Sequence, residues 1–357
     1  MVVLDALRGI AIAMVVIFHL HQDVPRIWPG QTAFGESGLT AHTLSFFLLG
    51  VDLFYVLSGF FIGCAVLRPA AWAPKAFLRS RLTRILPAYY VSLVLTLVLV
   101  QQQYLQTLQG WLDIGLHVLM LQSMQEWSMF SINGAYWTLS IELSFYLLML
   151  ALAPVWRSRA GWALIGLFLL VTWAWRAGVW AIPPVDKRYF WSAQLPGSLD
   201  EFAAGMAVAF AYSRGWVQRL ASRFPSSGVW LAVLGMSLTL ACMTYYVTMT
   251  GNYWASAPAL IFSRSFLGLG FALLAASLLI LQHSPGFVRA VGYTQLTSLG
   301  QISYSVYLYH SPLILLFFMH GQHLLALPWL LLATCVAIMA VSGASFQWIE
   351  RRWHPSL

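Results

Sequence analysis

An aspartate, an arginine and a histidine punctuate one apolar stretch, LDALRGIAIAMVVIFHLHQ, between Leu4 and Gln22. Near the centre of a bilayer a charge costs at least about 2.5–3.5 kcal/mol, so such residues usually serve a function. Arg8 and His19 stand eleven positions apart. At about 100° per residue that is roughly 20° past three turns, which puts both on one helix face, roughly 16 Å apart. Asp5, Ile12 and Val15 complete the stripe at 3-4-3-4 spacing. A histidine titrating near neutrality suits proton transfer at a reacting group, and a guanidinium fork suits phosphate oxygens. Two readings stay open: Arg8, with Asp5 as partner, and His19 reach the two membrane interfaces, or the stripe lines a polar cavity.

Four further segments carry candidates. GVDLFYVLSGFFIG, residues 50–63, buries Asp52 in an apolar run, with His19 and Arg264 as partners of suitable depth. Its Gly50, Ser58, Gly59 and Gly63 read as a close-packing face between helices. FLRSRLTRILPAYY, residues 77–90, supplies Arg79, Arg81 and Arg84, with Arg68 and Lys75 just upstream. This basic loop is either an ordinary cytoplasmic loop against anionic lipid or a phosphate clamp. NGAYWTLSIELSFYLL, residues 133–148, carries Glu142, roughly 13 Å into its span at about 1.5 Å per residue. GQISYSVYLYHSP, residues 300–312, sets Tyr304, Tyr307 and His310 at i, i+3 and i+6 before Pro312; aromatic and histidine packing is the favoured reading there. His21, His42, His117, His283, His320, His323 and His354 lie near span ends or in loops and receive no role.

The elements that must hold these residues are membrane helices. Of 357 residues 60% are hydrophobic and 8% charged, against about 25% charged in soluble domains. The composition indicates an all-α, polytopic integral membrane protein. Runs of about 20 apolar residues fall near 4–21, 44–67, 85–103, 133–155, 160–182, 195–213, 228–249, 259–281, 298–319 and 324–350. That makes about ten transmembrane helices, the sixth weakened by Asp200 and Glu201. Residues 110–125 are short and partly polar, and read as an interfacial or re-entrant helix. The whole chain, 1–357, is expected to form one transmembrane domain without a removable signal peptide.

With the N-terminus cytoplasmic, thirteen Lys and Arg fall in inside loops and three, Arg26, Lys187 and Arg188, in outside loops. That bias places both termini in the cytoplasm. The net charge of +8 is accounted for by those loops, so nucleic acid is not an expected partner. Cys64, Cys242 and Cys335 lack metal-type spacing, and no metal site is expected.

Taken together the segments resemble the integral-membrane acyltransferase-3 family. The family's Arg and His, separated by ten residues in the first span, are matched by Arg8 and His19. Its GVDLFFVLSGF block reads GVDLFYVLSGF from Gly50 to Phe60, and its RxxRIxPxY reads RLTRILPAY from Arg81 to Tyr89. Its WSLxxExxFY appears as WTLSIELSFY from Trp137 to Tyr146, with Thr138 in place of the serine. Its SYxxYLxH appears as SYSVYLYH from Ser303 to His310.

The resemblance implies transfer of an acyl group, acetyl above all, from acyl-CoA as co-substrate to a hydroxyl. The acceptor would be a glycan, a lipid-linked sugar or a hydroxylated metabolite, with no bound cofactor. The expected setting is the bacterial inner membrane, with its lipids as partners. On this reading His19 is the general base, and Arg8, Asp52 and Glu142 shape the electrostatics. Arg79, Arg81, Arg84 and Lys75 receive the donor's phosphates. The competing class is a membrane transporter whose pathway the same buried charges would line.

Overall fold

The structure, a computed structural model, describes residues 2–34, 44, 46–68, 72–249 and 251–353; His42 and His354 lie outside them. Among the described residues every regular element is a helix and none is a strand. A chain this apolar requires it, because a helix satisfies its backbone N–H and C=O groups without recourse to water. The longer helices are α1 (Val2–Ile27), α2 (Gly50–Leu67), α3 (Pro74–Leu99), α4 (Leu108–Val118), α5 (Trp137–Arg157), α6 (Gly161–Trp180), α7 (Leu199–Ser213), α8 (Ser227–Thr248), α9 (Ala257–Leu281), α10 (Ser303–Gly321) and α11 (Leu327–Ser345).

Among the described residues eight stretches are long and apolar enough to cross a membrane: α1, α2 with the turn before it, α3, α5, α6, α8, α9, and α11 with its C-terminal extension. The expected spans at 195–213 and 298–319 are also helical but fall outside that set. The 15 residues of α7 cover about 22 Å, short of the roughly 30 Å of a hydrocarbon core. α10 has 19 residues, but its serines, tyrosines, His310 and Pro312 lower its hydropathy. The short helix expected within 110–125 is α4, 11 residues long.

Two helices start or end away from their expected limits. α1 continues six residues past 21, and α3 begins at Pro74. Proline is suited to a first helical position, where its missing N–H has no partner to lose. The basic segment expected as a loop is therefore the first turns of α3.

The chain divides into two compact units. One comprises Met1–Ala11, Leu49–Phe77 and Ser144–Gly300; the other comprises Ile12–Leu48, Leu78–Leu143 and Gln301–Leu357. In the first, α2 packs on α7 backbone to backbone. A Cβ on Gly59 would stand 2.1 Å from the Phe202 carbonyl oxygen, and one on Gly205 would stand 1.8 Å from that of Val56. Glycine is required at both, and the close-packing reading of Gly59 holds. Trp156 caps the same interface, its indole N–H donating to the Gly63 carbonyl at 3.1 Å.

In the second unit Pro312 sets the polar architecture of α10. It has no N–H to give the Leu308 carbonyl four residues back. That oxygen is taken instead by Asn133 Nδ2 and Ser92 Oγ, each at 3.1 Å. Ser92 Oγ in turn meets the Tyr136 hydroxyl at 2.6 Å.

Candidate active site

His19 sits on α1 one turn before Asp23, with Nδ1 3.3 Å from Asp23 Oδ2. Both side chains are largely buried, 15% and 14% exposed. A carboxylate only accepts hydrogen bonds, so this contact holds the hydrogen on Nδ1 and leaves Nε2 with a lone pair. Asp23 also lies 3.7 Å from the exposed Arg26. Extension of α1 beyond residue 21 is what places Asp23 under His19. The signal was the i, i+4 spacing, hidden by ending the helix too early.

α10 brings His310 against His19, with ring centroids 4.9 Å apart and planes at 60°. His310 is fully buried, and its Nδ1 lies 2.9 Å from the Tyr307 carbonyl and 3.1 Å from that of Val306. Tyr307, 5.8 Å from the His310 ring, donates to the Ala135 carbonyl and meets Thr138 Oγ1 at 2.5 Å. Thr138, Tyr307, His310, His19 and Asp23 thus follow one another by hydrogen bond or ring contact within the second unit. Tyr307 and His310 are buried in ring contact, as the packing reading expects, and the Tyr307 hydroxyl and His310 Nδ1 are engaged as well. A nitrogen base backed by a carboxylate, with a second imidazole beside it, is equipped to move a proton during acyl transfer.

The acyltransferase-domain family profile matches residues 1–346. The chain belongs to the acyltransferase-3 family. Among its relatives is a putative membrane-bound transacylase, BcsY of Komagataeibacter xylinus, 24% identical over 392 residues, covering 98% of this chain and 81% of that protein. The O-acetyltransferase OatA of Staphylococcus aureus is 24% identical over 341 residues, covering 89% of this chain and 52% of its own. The peptidoglycan O-acetyltransferase OatA of Listeria monocytogenes is 22% identical over 338 residues, with coverage of 88% and 49%. The chain thus spans about half the length of the two O-acetyltransferases. No solved structure matches it. This is an integral-membrane acyltransferase, and the transporter alternative is set aside.

The acyltransferase's other expected site residues are distributed as follows. Arg8 pairs with Asp5 at 3.8 Å and lies over the Phe61 ring at 5.3 Å. On the same uninterrupted helix it stands roughly 16 Å from His19. Ile12 and Val15, between them on the stripe, are buried. Glu142 is half-buried on α5, one turn beyond Thr138, within electrostatic reach of the Tyr304 hydroxyl.

Asp52 belongs to a buried ion network of the first unit. Of its two expected partners the structure supplies Arg264, whose Nε donates to Asp52 Oδ1 at 2.8 Å, while His19 is engaged by Asp23 and His310. Glu201 Oε1 lies 2.9 Å from the same Nε and 3.5 Å from Arg176 Nη2. Because the Arg264 N–H is aimed at Asp52, that oxygen has charge contact without a hydrogen bond. Arg176 grips Asp200 with both arms at 2.9 Å, a fork-to-fork geometry. Three carboxylates and two guanidiniums are thereby compensated in the interior. The charges that weakened the sixth span in the sequence are these partners.

Lys75, Arg79, Arg81 and Arg84 do not form one patch on α3. Lys75 and Arg79, four residues apart, are exposed. Arg81 and Arg84 are half-buried and lie roughly 140–200° round the helix from Arg79 at about 100° per residue.

His117 received no role from the sequence, yet it is fully buried on α4 with Nδ1 3.2 Å from Asp113 Oδ1. Ser128 donates to the same carboxylate. Burial pushes the Asp113 carboxyl up, but the hydrogen bonds from His117, Ser128 and Ser131 outweigh it and hold the group below its ordinary range. Among the described residues no group of three or more His, Cys, Asp and Glu could hold a metal ion.

Proposed function

We propose that this acyltransferase moves an acetyl or other small acyl group from acyl-CoA to a hydroxyl of a carbohydrate or other hydroxylated acceptor. The observation that carries the reading is the Asp23 carboxylate behind His19 Nδ1, which leaves Nε2 as a base and stabilises the imidazolium it becomes. The acceptor oxygen attacks the thioester carbonyl as its proton passes to His19 Nε2. The new C–O bond forms, the tetrahedral oxyanion collapses and the C–S bond breaks. The thiolate leaves as free thiol with the proton returned by His19.

Arg81 and Arg84 receive the donor's phosphates, because half-buried guanidiniums are less screened than exposed ones. Lys75 and Arg79 face solvent and lipid headgroups at the entrance. Arg8, Asp52 and Glu142 contribute charge rather than proton transfer; Asp52 is already committed to Arg264. The acetyl group and the glycan acceptor are supported by relatives described as an O-acetyltransferase and a peptidoglycan O-acetyltransferase. Counted on the ten expected spans, the thirteen-to-three distribution of basic residues supports cytoplasmic termini, and the setting in this reading is a bacterial inner membrane.

The test is thiol release from acetyl-CoA by protein in lipid nanodiscs, given a panel of glycans, lipid-linked sugars and hydroxylated metabolites. The parent protein should release thiol with at least one acceptor. His19→Ala should still bind acetyl-CoA while turnover drops about 10²–10⁴-fold, the usual worth of general acid–base catalysis. Absence of thiol release across the panel would overturn the reading.

A further inference from the structure

We propose that His310 is an acceptor-recognition residue and that, with His19, it selects a hydroxyl bearing a second hydroxyl on the adjacent carbon. The proposal rests on the reading of His19 as the base. Carbonyl oxygens only accept hydrogen bonds, so the contacts from His310 Nδ1 to Val306 and Tyr307 place the ring hydrogen on Nδ1. Nε2 is then an acceptor, and it is buried with no hydrogen-bond partner. A buried polar atom left in this state calls for an explanation.

His19 beside it also offers an acceptor nitrogen, though its side chain is 15% exposed. Its Nδ1 is turned to Asp23, so its Nε2 is an acceptor too. Two imidazoles 4.9 Å apart, both with their hydrogens committed elsewhere, cannot satisfy one another. One ligand that brings two donors on neighbouring atoms would satisfy both. A vicinal diol does so: one O–H gives its proton to His19 as its oxygen attacks, and the neighbouring O–H keeps its proton and donates to His310 Nε2. A simple alcohol satisfies His19 and leaves His310 without a partner. The pair therefore favours sugars and polyols over monohydric alcohols, and the discrimination resides in a side chain that takes no part in the proton transfer.

Small alcohols test this without knowledge of the natural acceptor. Thiol release from acetyl-CoA is followed with ethylene glycol, 2-methoxyethanol and ethanol at equal high concentrations. The second keeps the neighbouring oxygen but removes its hydrogen. The parent should prefer ethylene glycol over both others on the order of tenfold, the worth of one hydrogen bond to a group otherwise unsatisfied. His310→Leu should level the three rates, and His310→Gln, whose amide oxygen is again an acceptor, should restore part of the preference. Equal parent rates for ethylene glycol and 2-methoxyethanol overturn the proposal, as does a preference that survives His310→Leu.

If none of the three alcohols supports thiol release, the catalytic reading is judged on the glycan panel, and diol recognition is read directly. Ethylene glycol should then shift the Nε2 resonance of His310 in protein carrying ¹⁵N-histidine, and 2-methoxyethanol should not. Absence of that shift overturns the proposal independently.

Discussion

His19 and His310, 291 positions apart in sequence, meet with ring centroids 4.9 Å apart, and each directs Nδ1 at an oxygen that can only accept. The Nε2 of each ring is thereby left as an acceptor, and that of His310 is buried with no hydrogen-bond partner.

Asp23 is expected to matter through His19. Asp23→Asn keeps the shape of the side chain and removes the charge that stabilises the imidazolium. Turnover should fall about tenfold or more, with acetyl-CoA affinity unchanged, since only the proton-transfer step is weakened. The check is a split of kcat from donor binding. Parent-like kcat in Asp23→Asn would mean that the contact on α1 is only structural.

The two faces of α3 should respond differently. Arg81→Gln and Arg84→Gln should each raise the KM for acetyl-CoA on the order of tenfold, because charge-assisted contacts to phosphate are lost at half-buried sites. Lys75→Gln and Arg79→Gln, at exposed sites, should change it by less than about threefold and lose even that at high salt. Equal effects from all four would restore the picture of a single undivided clamp.

Arg264 holds Asp52 and Glu201 in place. Arg264→Leu leaves both carboxylates short of a counter-charge, and unfolding in mild detergent should become easier by about 3–5 kcal/mol. Adding Asp52→Leu should recover part of the loss, because one of the two uncompensated charges is then gone. If the double variant is the less stable by the sum of two independent losses, the ion pair is not the reason for the effect.

Much of this site was legible. The family blocks, the depth of Asp52 and Glu142, and the Arg8–His19 face follow from residue types and from 3.6-residue periodicity. Gly59 could be read as a packing position, and the structure shows a backbone carbonyl where its Cβ would be. Asp23 was within reach, since a helix carried one turn further places it under His19. The split of Arg79 from Arg81 and Arg84 was hidden by reading the first turns of α3 as a loop, where no face is defined.

The sequence by itself determined that this is a helical membrane protein, where eight of its ten expected spans lie among the described residues, and which residues share a face of one helix. Hydropathy and periodicity are local, and they set each helix and its buried side. Tertiary structure alone decided which helix covers that side. It chose Arg264 for Asp52, set His310 beside His19, and gave the Leu308 carbonyl freed by Pro312 to Ser92 and Asn133. Periodicity says that a polar group must be satisfied inside a helix bundle, whereas the partner is fixed by distance and direction once the helices have packed.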